Sequence, residues 1–227
     1  QQNKLASMGE MLGNIAHQWR QPLNNINLLI YFIRDSYGKI SQMELSELIK
    51  DAKLQIDYMS QTIDDFRNFY KPSKEKKLFN IKESIIQSSK IVNASLEKYG
   101  IKFEIFGEDL QLDSYENEFE QVVVNILNNA IDAKIVKSNS EKFDARIEIN
   151  IFKENDNIVI SIFNNCGNID EQIIERIFEP YFTTKFENQG TGIGLYMTKV
   201  IVEKNMNGKI QAKNLNDGVE FIIKLNA

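Results

Sequence analysis

Histidine and cysteine each occur once in this chain of 227 residues, as His17 and Cys166. A lone cysteine excludes an internal disulfide and agrees with a reducing compartment. One histidine and one cysteine that lie far apart in the sequence also exclude a four-ligand zinc site built from these residue types. Any histidine chemistry in this chain must therefore be carried by His17.

Long apolar runs and excess positive charge are absent as well. No stretch approaches the roughly 18 apolar residues of a membrane-spanning helix, and no signal-peptide pattern begins the chain. The formal net charge of -5 argues against a protein that binds nucleic acid by neutralising phosphates over a broad surface. With 42% hydrophobic and 26% charged residues, the composition is typical of a globular protein with one core and a smaller second unit.

The N-terminal segment has the spacing of one long helix. Apolar residues recur at alternating steps of three and four over residues 3–36, which is typical of a helix with one buried seam. Pro22 lies inside this segment and predicts a kink, because proline removes a backbone donor. The seam consists of Leu5, Met8, Leu12, Ile15, Trp19, Leu23, Ile26, Ile30 and Ile33.

His17 is not part of that seam. It lies two residues after Ile15, a rotation of about 200° around the helix axis, so we expect its imidazole to point away from the packed face. For a lone exposed histidine without context, a surface residue with no role is the favoured interpretation. The role of His17 therefore depends on what the rest of the chain contains.

A second helix with the same spacing follows. After a break at residues 37–39, apolar residues again alternate over residues 44–70, so the two helices are expected to form a hairpin. A hairpin with one apolar stripe per helix cannot bury both stripes alone, and two copies would pair into a four-helix bundle. We therefore predict a homodimer through residues 1–72. A hairpin that lies on the rest of its own chain is the alternative.

The pattern changes after residues 71–77, a polar segment with a proline that predicts a hinge. The predicted organisation is a hairpin over residues 1–72, a hinge over 73–77 and a second domain over 78–227. The second domain mixes helices with alternating strands, which indicates an α+β sandwich with helices on one face. Helices are expected over 81–99, 116–137 and 193–205, and strands over 101–106, 110–112, 146–152, 157–163, 209–214 and 219–225.

Three polar residues share one face of the apolar helix predicted over residues 116–137. Asn125, Asn129 and Asp132 are spaced by four and three. Amides on an apolar face are costly unless they meet polar ligands, and a core-network asparagine explains one such residue better than the set. Amide oxygens suit Mg²⁺, which binds through one or two protein oxygens and the phosphates of a substrate.

Residues 190–195, Gly-Thr-Gly-Ile-Gly-Leu, lead into the last predicted helix. Backbone N–H groups and the positive end of a helix dipole favour phosphate binding. The segment has neither the spacing of a dinucleotide fingerprint nor the Gly-Lys-Ser/Thr of a P-loop. By itself it indicates a nucleotide site only weakly.

Four motifs in this order resemble those of two-component sensor histidine kinases. Residues 16–23, Ala-His-Gln-Trp-Arg-Gln-Pro-Leu, resemble the H-box, and residues 125–133 resemble the N-box. Residues 177–185, Ile-Phe-Glu-Pro-Tyr-Phe-Thr-Thr-Lys, resemble the F-box, and residues 190–195 resemble the second glycine box. The resemblance spans nearly all of the chain. It implies a dimerisation and phosphotransfer hairpin followed by a Bergerat-type α/β sandwich that binds ATP, as in gyrase-like and chaperone ATPases.

The resemblance assigns phosphotransfer roles to the first motif. His17 would accept the phosphoryl group, and Gln18 would orient its imidazole. Many relatives carry an acidic residue at the position of Gln18, whose amide cannot exchange a proton near neutral pH. Gln21 would place water for dephosphorylation of the partner protein. Arg20 would neutralise phosphate charge, although a solvated or intrahelical ion pair explains it equally well.

The resemblance also assigns nucleotide-binding roles. Asn129 would bind Mg²⁺, Asn125 would support the phosphates, and Phe178 and Tyr181 would anchor a lid. Lys185 and the glycine amides would steady the triphosphate. The implied ATP contacts are Asn125, Asn129, Asp132, Asn164, Gly167, Thr184, Lys185, Gly190, Thr191, Gly192, Gly194 and Leu195.

The segment that would bind adenine departs from the family pattern. Relatives usually carry Asp-x-Gly-x-Gly there, and residues 164–168 of this chain read Asn-Asn-Cys-Gly-Asn. The amide oxygen of Asn164 can accept a hydrogen bond from the adenine amino group, but a neutral acceptor forms a weaker bond than a carboxylate. We therefore expect adenine recognition with reduced affinity. Because two glycines are missing, we expect a differently shaped loop, in which Cys166 has a packing role.

The leading hypothesis is an Mg-ATP-dependent autokinase that phosphorylates His17 and passes the phosphoryl group to an aspartate of a response-regulator receiver domain. A hydrolytic ATPase is one alternative, but ATPases of that kind place a glutamate base at the position of Asn125. A degenerate kinase that acts as a dimeric signalling scaffold is another, and Asn164 favours it. We expect no nucleic-acid partner. The expected location is cytoplasmic, in a longer bacterial receptor that reaches a membrane only through segments outside this chain.

Overall fold

The computed structural model describes residues 2–70, 75–138, 143–184 and 192–226. For residues 2–18, 61, 64–70 and 138 it describes the backbone only. The chain divides into two compact units, of which one contains the two N-terminal helices and the other contains both sheets and the remaining helices. The α+β architecture predicted from the sequence is confirmed.

Helices and strands follow one another in a mixed order. The helices are α1 (Gln2–Asp35), α2 (Gln42–Tyr70), α3 (Ile81–Lys98), α4 (Glu116–Ser138) and α5 (Gly194–Val200), with a short 3₁₀ helix at Arg176–Phe178. The strands are β1 (Lys77–Asn80), β2 (Lys102–Gly107), β3 (Gln111–Ser114), β4 (Arg146–Glu154), β5 (Asn157–Asn164), β6 (Lys209–Leu215) and β7 (Gly218–Asn226).

The hairpin of α1 and α2 confirms the helical periodicity of the N-terminal segment. α1 remains helical through Pro22, whose ring is buried. α2 begins before its predicted start because Ser41 and Glu44 form a capping box. The N–H of Glu44 donates to Ser41 Oγ at 3.2 Å, and the N–H of Ser41 donates to Glu44 Oε2 at 2.9 Å. Hydrogen bonds from Ser41 lower the pKa of the Glu44 carboxyl.

Apolar side chains of the hairpin are exposed in the single chain. Leu23 is 47% exposed, Ile30 57% and Ile56 53%. Each belongs to an apolar stripe that the three-and-four spacing predicts to be packed. Within the described residues, no helix is both long and apolar enough to cross a membrane.

The main sheet has five strands in the order β2-β4-β5-β7-β6. The pairs β4–β5, β5–β7 and β6–β7 are antiparallel, as the sequence predicted for the late strands. The β2–β4 pair is parallel, which the strand pattern did not reveal. A parallel pair needs a long crossover, and the connection from β2 to β4 contains α4.

A second, two-stranded sheet pairs β1 with β3 in antiparallel register. The sequence pattern does not predict β1, because its four residues begin in the polar segment interpreted as a hinge. Part of the predicted hinge, residues 73–77, lies outside the described residues. Its last residue, Lys77, belongs to β1 and forms an ion pair with Glu116. Asn80, at the end of β1, caps α3 by accepting the N–H of Glu83 at 3.0 Å.

The core of the second unit is formed by helix and strand side chains with almost no exposed area. The large members include Phe119, Ile126 and Leu127 of α4, Ile147, Ile149 and Ile151 of β4, and Ile160 and Ile162 of β5, each of which is 0% exposed. In β5 the residues on both faces are buried from Ile158 to Asn164. This close packing fixes α4, and with it the polar face that the sequence singled out.

The helix predicted over residues 193–205 consists of two parts. α5 is followed directly by a π-helical turn at Ile201–Asn205, in which the N–H of Met206 donates to Ile201 O at 3.0 Å. Asn205 Nδ2 donates to Glu118 Oε2 of α4 at 2.6 Å. The end of this helical segment is therefore fastened to the same helix that carries Asn125 and Asn129.

Candidate functional site

Asn125 connects α4 to the start of α5. Its Nδ2 donates to Gly194 O at 3.1 Å and to Thr198 Oγ1 at 3.3 Å. Thr198 is fully buried, and its hydroxyl donates to Gly194 O at 2.9 Å. The polar contacts of Asn125 thus form with residues more than 60 positions further along the chain.

Asn129 lies one helical turn after Asn125 and is also half-buried. Its Nδ2 donates to the backbone oxygen of Asn125 at 2.9 Å. A carbonyl oxygen only accepts hydrogen bonds, so the amide nitrogen of Asn129 must face it. Within the part of the chain that the structure describes, no hydrogen bond uses Asn129 Oδ1. Asp132, on the same face, is half-buried as well.

Amide oxygens on α4 fit a hard divalent cation. Mg²⁺ binds through one or two protein oxygens and keeps its remaining positions for water and phosphates, so it requires no dense cluster of carboxylates. Among the residues described, no group of three or more His, Cys, Asp or Glu side chains is placed to hold a metal ion. Asn129 Oδ1 and the carboxylate of Asp132, on the same face of α4, are oxygens of the type that Mg²⁺ binds.

The glycine-rich segment is described from Gly192 onward. Gly192 has φ +63°, and a Cβ there would collide with the backbone of Tyr181, so the position requires glycine. The N–H of Tyr181, itself at φ +65°, donates to Gly192 O at 2.9 Å. Gly194 opens α5, and Leu195 packs partly buried against the core.

Phe178 anchors the segment that leads to Tyr181. It lies at the end of the short 3₁₀ helix, is 7% exposed, and meets Phe221 of β7 edge-on with ring centroids 6.4 Å apart. Thr184 is exposed. The predicted contacts Lys185, Gly190 and Thr191 lie outside the described residues.

The loop after β5 uses its two asparagines differently. Asn164 is 2% exposed, and its Oδ1 accepts the N–H of Cys166 at 3.2 Å. Asn165 ties the loop to β4, because its Oδ1 accepts the N–H of Arg146 at 2.8 Å and its Nδ2 donates to Asp144 O at 2.9 Å. The positive φ in this loop falls on Gly167, at +137°.

Cys166 is buried in this loop and belongs to the hydrophobic core cluster. Burial raises the pKa of its thiol to about 11, although the charges of Lys134 and Lys137 act in the opposite direction. The thiol is therefore protonated at neutral pH, which is a poor state for a nucleophile. The geometry agrees with the packing role expected for Cys166.

Only part of the first motif has described side chains. Arg20 and Gln21 are exposed, Trp19 is half-buried, and the side chains of His17 and Gln18 lie outside the described residues.

Thr198 is a residue of this site that the sequence reasoning missed. It lies four residues after Gly194, between Met197 and Lys199, where a single threonine gives little signal. The available clue is its position four residues after Gly194, the spacing at which a threonine hydroxyl reaches a helix carbonyl.

Two family models together match most of the chain. The family described as "Histidine kinase-, DNA gyrase B-, and HSP90-like ATPase" matches residues 114–227. The "His Kinase A (phospho-acceptor) domain" matches residues 7–75, which include His17.

The proteins similar in sequence to this chain include sensor histidine kinases. The two-component sensor PprA of Pseudomonas aeruginosa is 27% identical over 98% of this chain and 24% of its own length. The signal transduction histidine-protein kinase AtoS of Escherichia coli is 26% identical over 95% of this chain and 34% of its own length. This chain thus spans about a quarter to a third of these relatives.

Solved structures of histidine kinase ThkA are similar to both units. Its catalytic domain is 31% identical, with a TM-score of 0.59 over 67% of this chain and 95% of that one. ThkA in complex with the response regulator protein TrrA is 25% identical, with a TM-score of 0.73 over 99% of this chain and 63% of that one. The two matched domains follow one another along this chain, and the polar face of α4 lies beside the glycine-rich segment. The chain therefore belongs to the two-component sensor histidine kinases.

Proposed function

We propose that this chain is the catalytic core of a protein-histidine kinase that uses Mg-ATP to phosphorylate His17. The observation that carries the proposal is the joint presence of two matched domains, one containing the lone histidine and the other belonging to an ATPase family. A phosphoacceptor and a nucleotide-binding domain in one chain are the two parts that autophosphorylation needs. Use of ATP favours the cytoplasm as the location of this part of the protein.

The transfer step requires little proton chemistry. A neutral imidazole nitrogen has a free lone pair near pH 7 and attacks the γ-phosphorus, forming the P–N bond as the bond to the ADP oxygen breaks. The other ring nitrogen then loses its proton to solvent. Gln18 has no proton to exchange and contributes by orienting the ring. Positioning and charge neutralisation therefore carry the catalysis.

Asn129 is the proposed protein ligand of Mg²⁺. The cation supplies neutralisation of the phosphate charge when it is bound. The amide nitrogen of Asn129 is engaged by the backbone of Asn125, which leaves its oxygen for the cation. Asn125, Gly192 and Gly194 flank the same face and support the triphosphate, and Asn164 contacts adenine.

The proposed acceptor of the phosphoryl group from His17 is an aspartate on a response-regulator receiver domain. The support is the similar kinase ThkA, whose structure holds the response regulator protein TrrA. Gln21 is exposed one helical turn after His17, so its amide can place a water near the phosphorylated aspartate for dephosphorylation.

We also propose that residues 1–72 form a homodimer as a four-helix bundle. Exposed Leu23, Ile30 and Ile56 on the hairpin leave apolar area that a second copy would cover. The phosphoacceptor-domain match to residues 7–75 covers most of this segment.

An ATPase that hydrolyses its nucleotide is the alternative from another class. It needs a base that activates water, and relatives of that kind use a glutamate at the position of Asn125. The amide of Asn125 is neutral, and its nitrogen is engaged by Gly194 and Thr198. Both facts favour transfer over hydrolysis.

Labelling with γ-³²P-ATP tests the proposal. We expect acid-labile, alkali-stable label on the protein, which is lost in His17→Ala and passed to an added receiver domain. Free phosphate without labelled protein would instead support the ATPase. Absence of nucleotide binding would support a signalling scaffold.

A further inference from the structure

The hydroxyl of Thr198 completes a hydrogen-bond network around the Asn125 amide. Thr198 is 0% exposed and donates to Gly194 O at 2.9 Å. Because its one proton is used in that bond, its oxygen can only accept a hydrogen bond from Nδ2 of Asn125, at 3.3 Å. Asn125 Nδ2 also reaches Gly194 O at 3.1 Å, so the amide nitrogen faces two neighbouring acceptors on α5.

This network decides which way the amide faces. Gly194 O can only accept, so the atom of Asn125 that meets it must be the nitrogen. The oxygen then lies on the other branch of the amide. Among the described residues, no hydrogen bond uses Asn125 Oδ1. Asn129 follows the same rule, because its nitrogen donates to Asn125 O.

The fixed orientation limits what Asn125 can do for a triphosphate. Phosphate oxygens accept hydrogen bonds, and the amide nitrogen of Asn125, the donor atom of this side chain, is turned toward α5. An amide oxygen and a phosphate oxygen do not attract each other directly. Asn125 therefore contributes through Mg²⁺ or through a water bound to it, and not by donating to phosphate.

We propose that Thr198 is a positioning residue, which holds the Asn125 amide so that its oxygen faces the magnesium ion of the bound nucleotide. This inference rests on the proposed function and deepens it. Loss of the hydroxyl leaves Gly194 O as the one remaining acceptor on α5 for the Asn125 nitrogen, so the amide is held less firmly. Removal of groups that orient metal ligands weakens metal binding by about tenfold to a hundredfold.

Nucleotide affinity with and without Mg²⁺ provides the test. Binding of a fluorescent ATP analogue to the full chain is titrated in Mg²⁺ and in excess EDTA. Thr198→Val keeps the shape of the side chain and removes the hydroxyl, while Thr198→Ser keeps the hydroxyl and removes the methyl. Thr198→Ala serves in place of valine if the branched side chain prevents folding, which a melting curve of each free protein checks.

We expect Thr198→Val to weaken binding about tenfold in Mg²⁺ and by less than twofold in EDTA. Thr198→Ser should bind like the wild type in both. Equal affinity of Thr198→Val and wild type in Mg²⁺ would overturn the inference. An equal loss with and without Mg²⁺ would also overturn it, because that result indicates a packing role.

A double-mutant cycle separates action through Asn125 from any direct effect. In an Asn125→Ala background, Thr198→Val should cause no further loss of Mg²⁺-dependent affinity. A full additional tenfold loss would show that Thr198 does not act through Asn125. Wild-type protein that binds no ATP in either condition would overturn the proposed function itself, whereas the variant ratios address Thr198 alone.

Discussion

Among the hairpin side chains that the structure describes, the buried ones are Pro22, Gln55 and Thr62, two of which are polar. In the second unit, the buried side chains are mostly large and apolar, as in Ile126 and Ile147 at 0% exposure. The second unit thus contains a complete core, while the hairpin keeps much of its apolar area exposed. The difference indicates that one region folds on its own side chains and the other needs a second surface.

Buried polar atoms distinguish the hairpin from the candidate nucleotide site, although not from the whole second unit, where Ser84 Oγ is also buried without a hydrogen-bond partner. Within the described part of the hairpin, Trp19 Nε1 and Gln55 Oε1 are buried without a hydrogen-bond partner. At the candidate nucleotide site, the Asn125 and Asn129 nitrogens both have acceptors. An unmatched buried polar atom costs free energy, so the hairpin lacks partners that the nucleotide site already has.

Loss of the proposed magnesium ligand should have the largest effect of the predicted substitutions, and this effect is on labelling of His17. Asn129→Ala removes the amide oxygen that we propose binds Mg²⁺, so we expect labelling of His17 to fall about a hundredfold or more. Labelling with γ-³²P-ATP measures this, and sedimentation should give an unchanged dimer. Asn128→Ala, at the exposed neighbouring position, is the matched control and should label normally. A monomeric Asn129→Ala protein would contradict the division of labour between the two regions.

Truncation of one isoleucine in each region sharpens the comparison. Ile126→Ala opens a cavity in the core of the second unit and should lower its free energy of unfolding by about 4 kcal/mol. Ile30→Ala, at a position 57% exposed, should leave that unfolding unchanged and weaken dimerisation instead. Denaturant unfolding and sedimentation measure the two effects. Equal losses of unfolding free energy would show that the regions do not differ as proposed.

The thiol of Cys166 should make the stability of the second unit depend on pH. The pKa of Cys166 is raised from the ordinary 9.0 to about 11 in the folded protein, so the unfolded chain loses this proton first as the pH rises. The contribution of this thiol to the free energy of unfolding is therefore constant below about pH 9. It falls by about 2 kcal/mol as the pH rises from about 9 to 11. Unfolding curves of the wild type and Cys166→Ala at several pH values measure the difference. If the two proteins have the same slope over this range, the thiol is not buried as described.

The smallest expected effect is a gain in ATP affinity. Asn164→Asp restores a carboxylate, which accepts the adenine amino group more strongly and can still accept the N–H of Cys166. We expect binding of ATP to tighten about threefold to tenfold. Asn155→Asp adds the same charge at an exposed turn and should leave the affinity unchanged. Unchanged affinity of Asn164→Asp would indicate that adenine is recognised without this side chain.

Elements with a strong apolar period were predicted closely, and weakly patterned ones were not. α4 follows its predicted range because Val122, Ile126 and Leu127 form one buried face. β1 was missed because its four residues offer a single buried side chain, Phe79. The π-helical turn at Ile201–Asn205 was also missed, since a five-residue turn barely changes a period of 3.6.

The sequence by itself determined the family, the alternation of helices and strands and the face of α4 that carries Asn125 and Asn129. These depend on spacing within a short segment, which is visible in the order of residues. Only the tertiary structure decided that β2 pairs in parallel with β4, and that Asn125 meets Thr198 at a distance of 73 positions along the chain. Such contacts form between segments that the packing of the core brings together, and no local period encodes them.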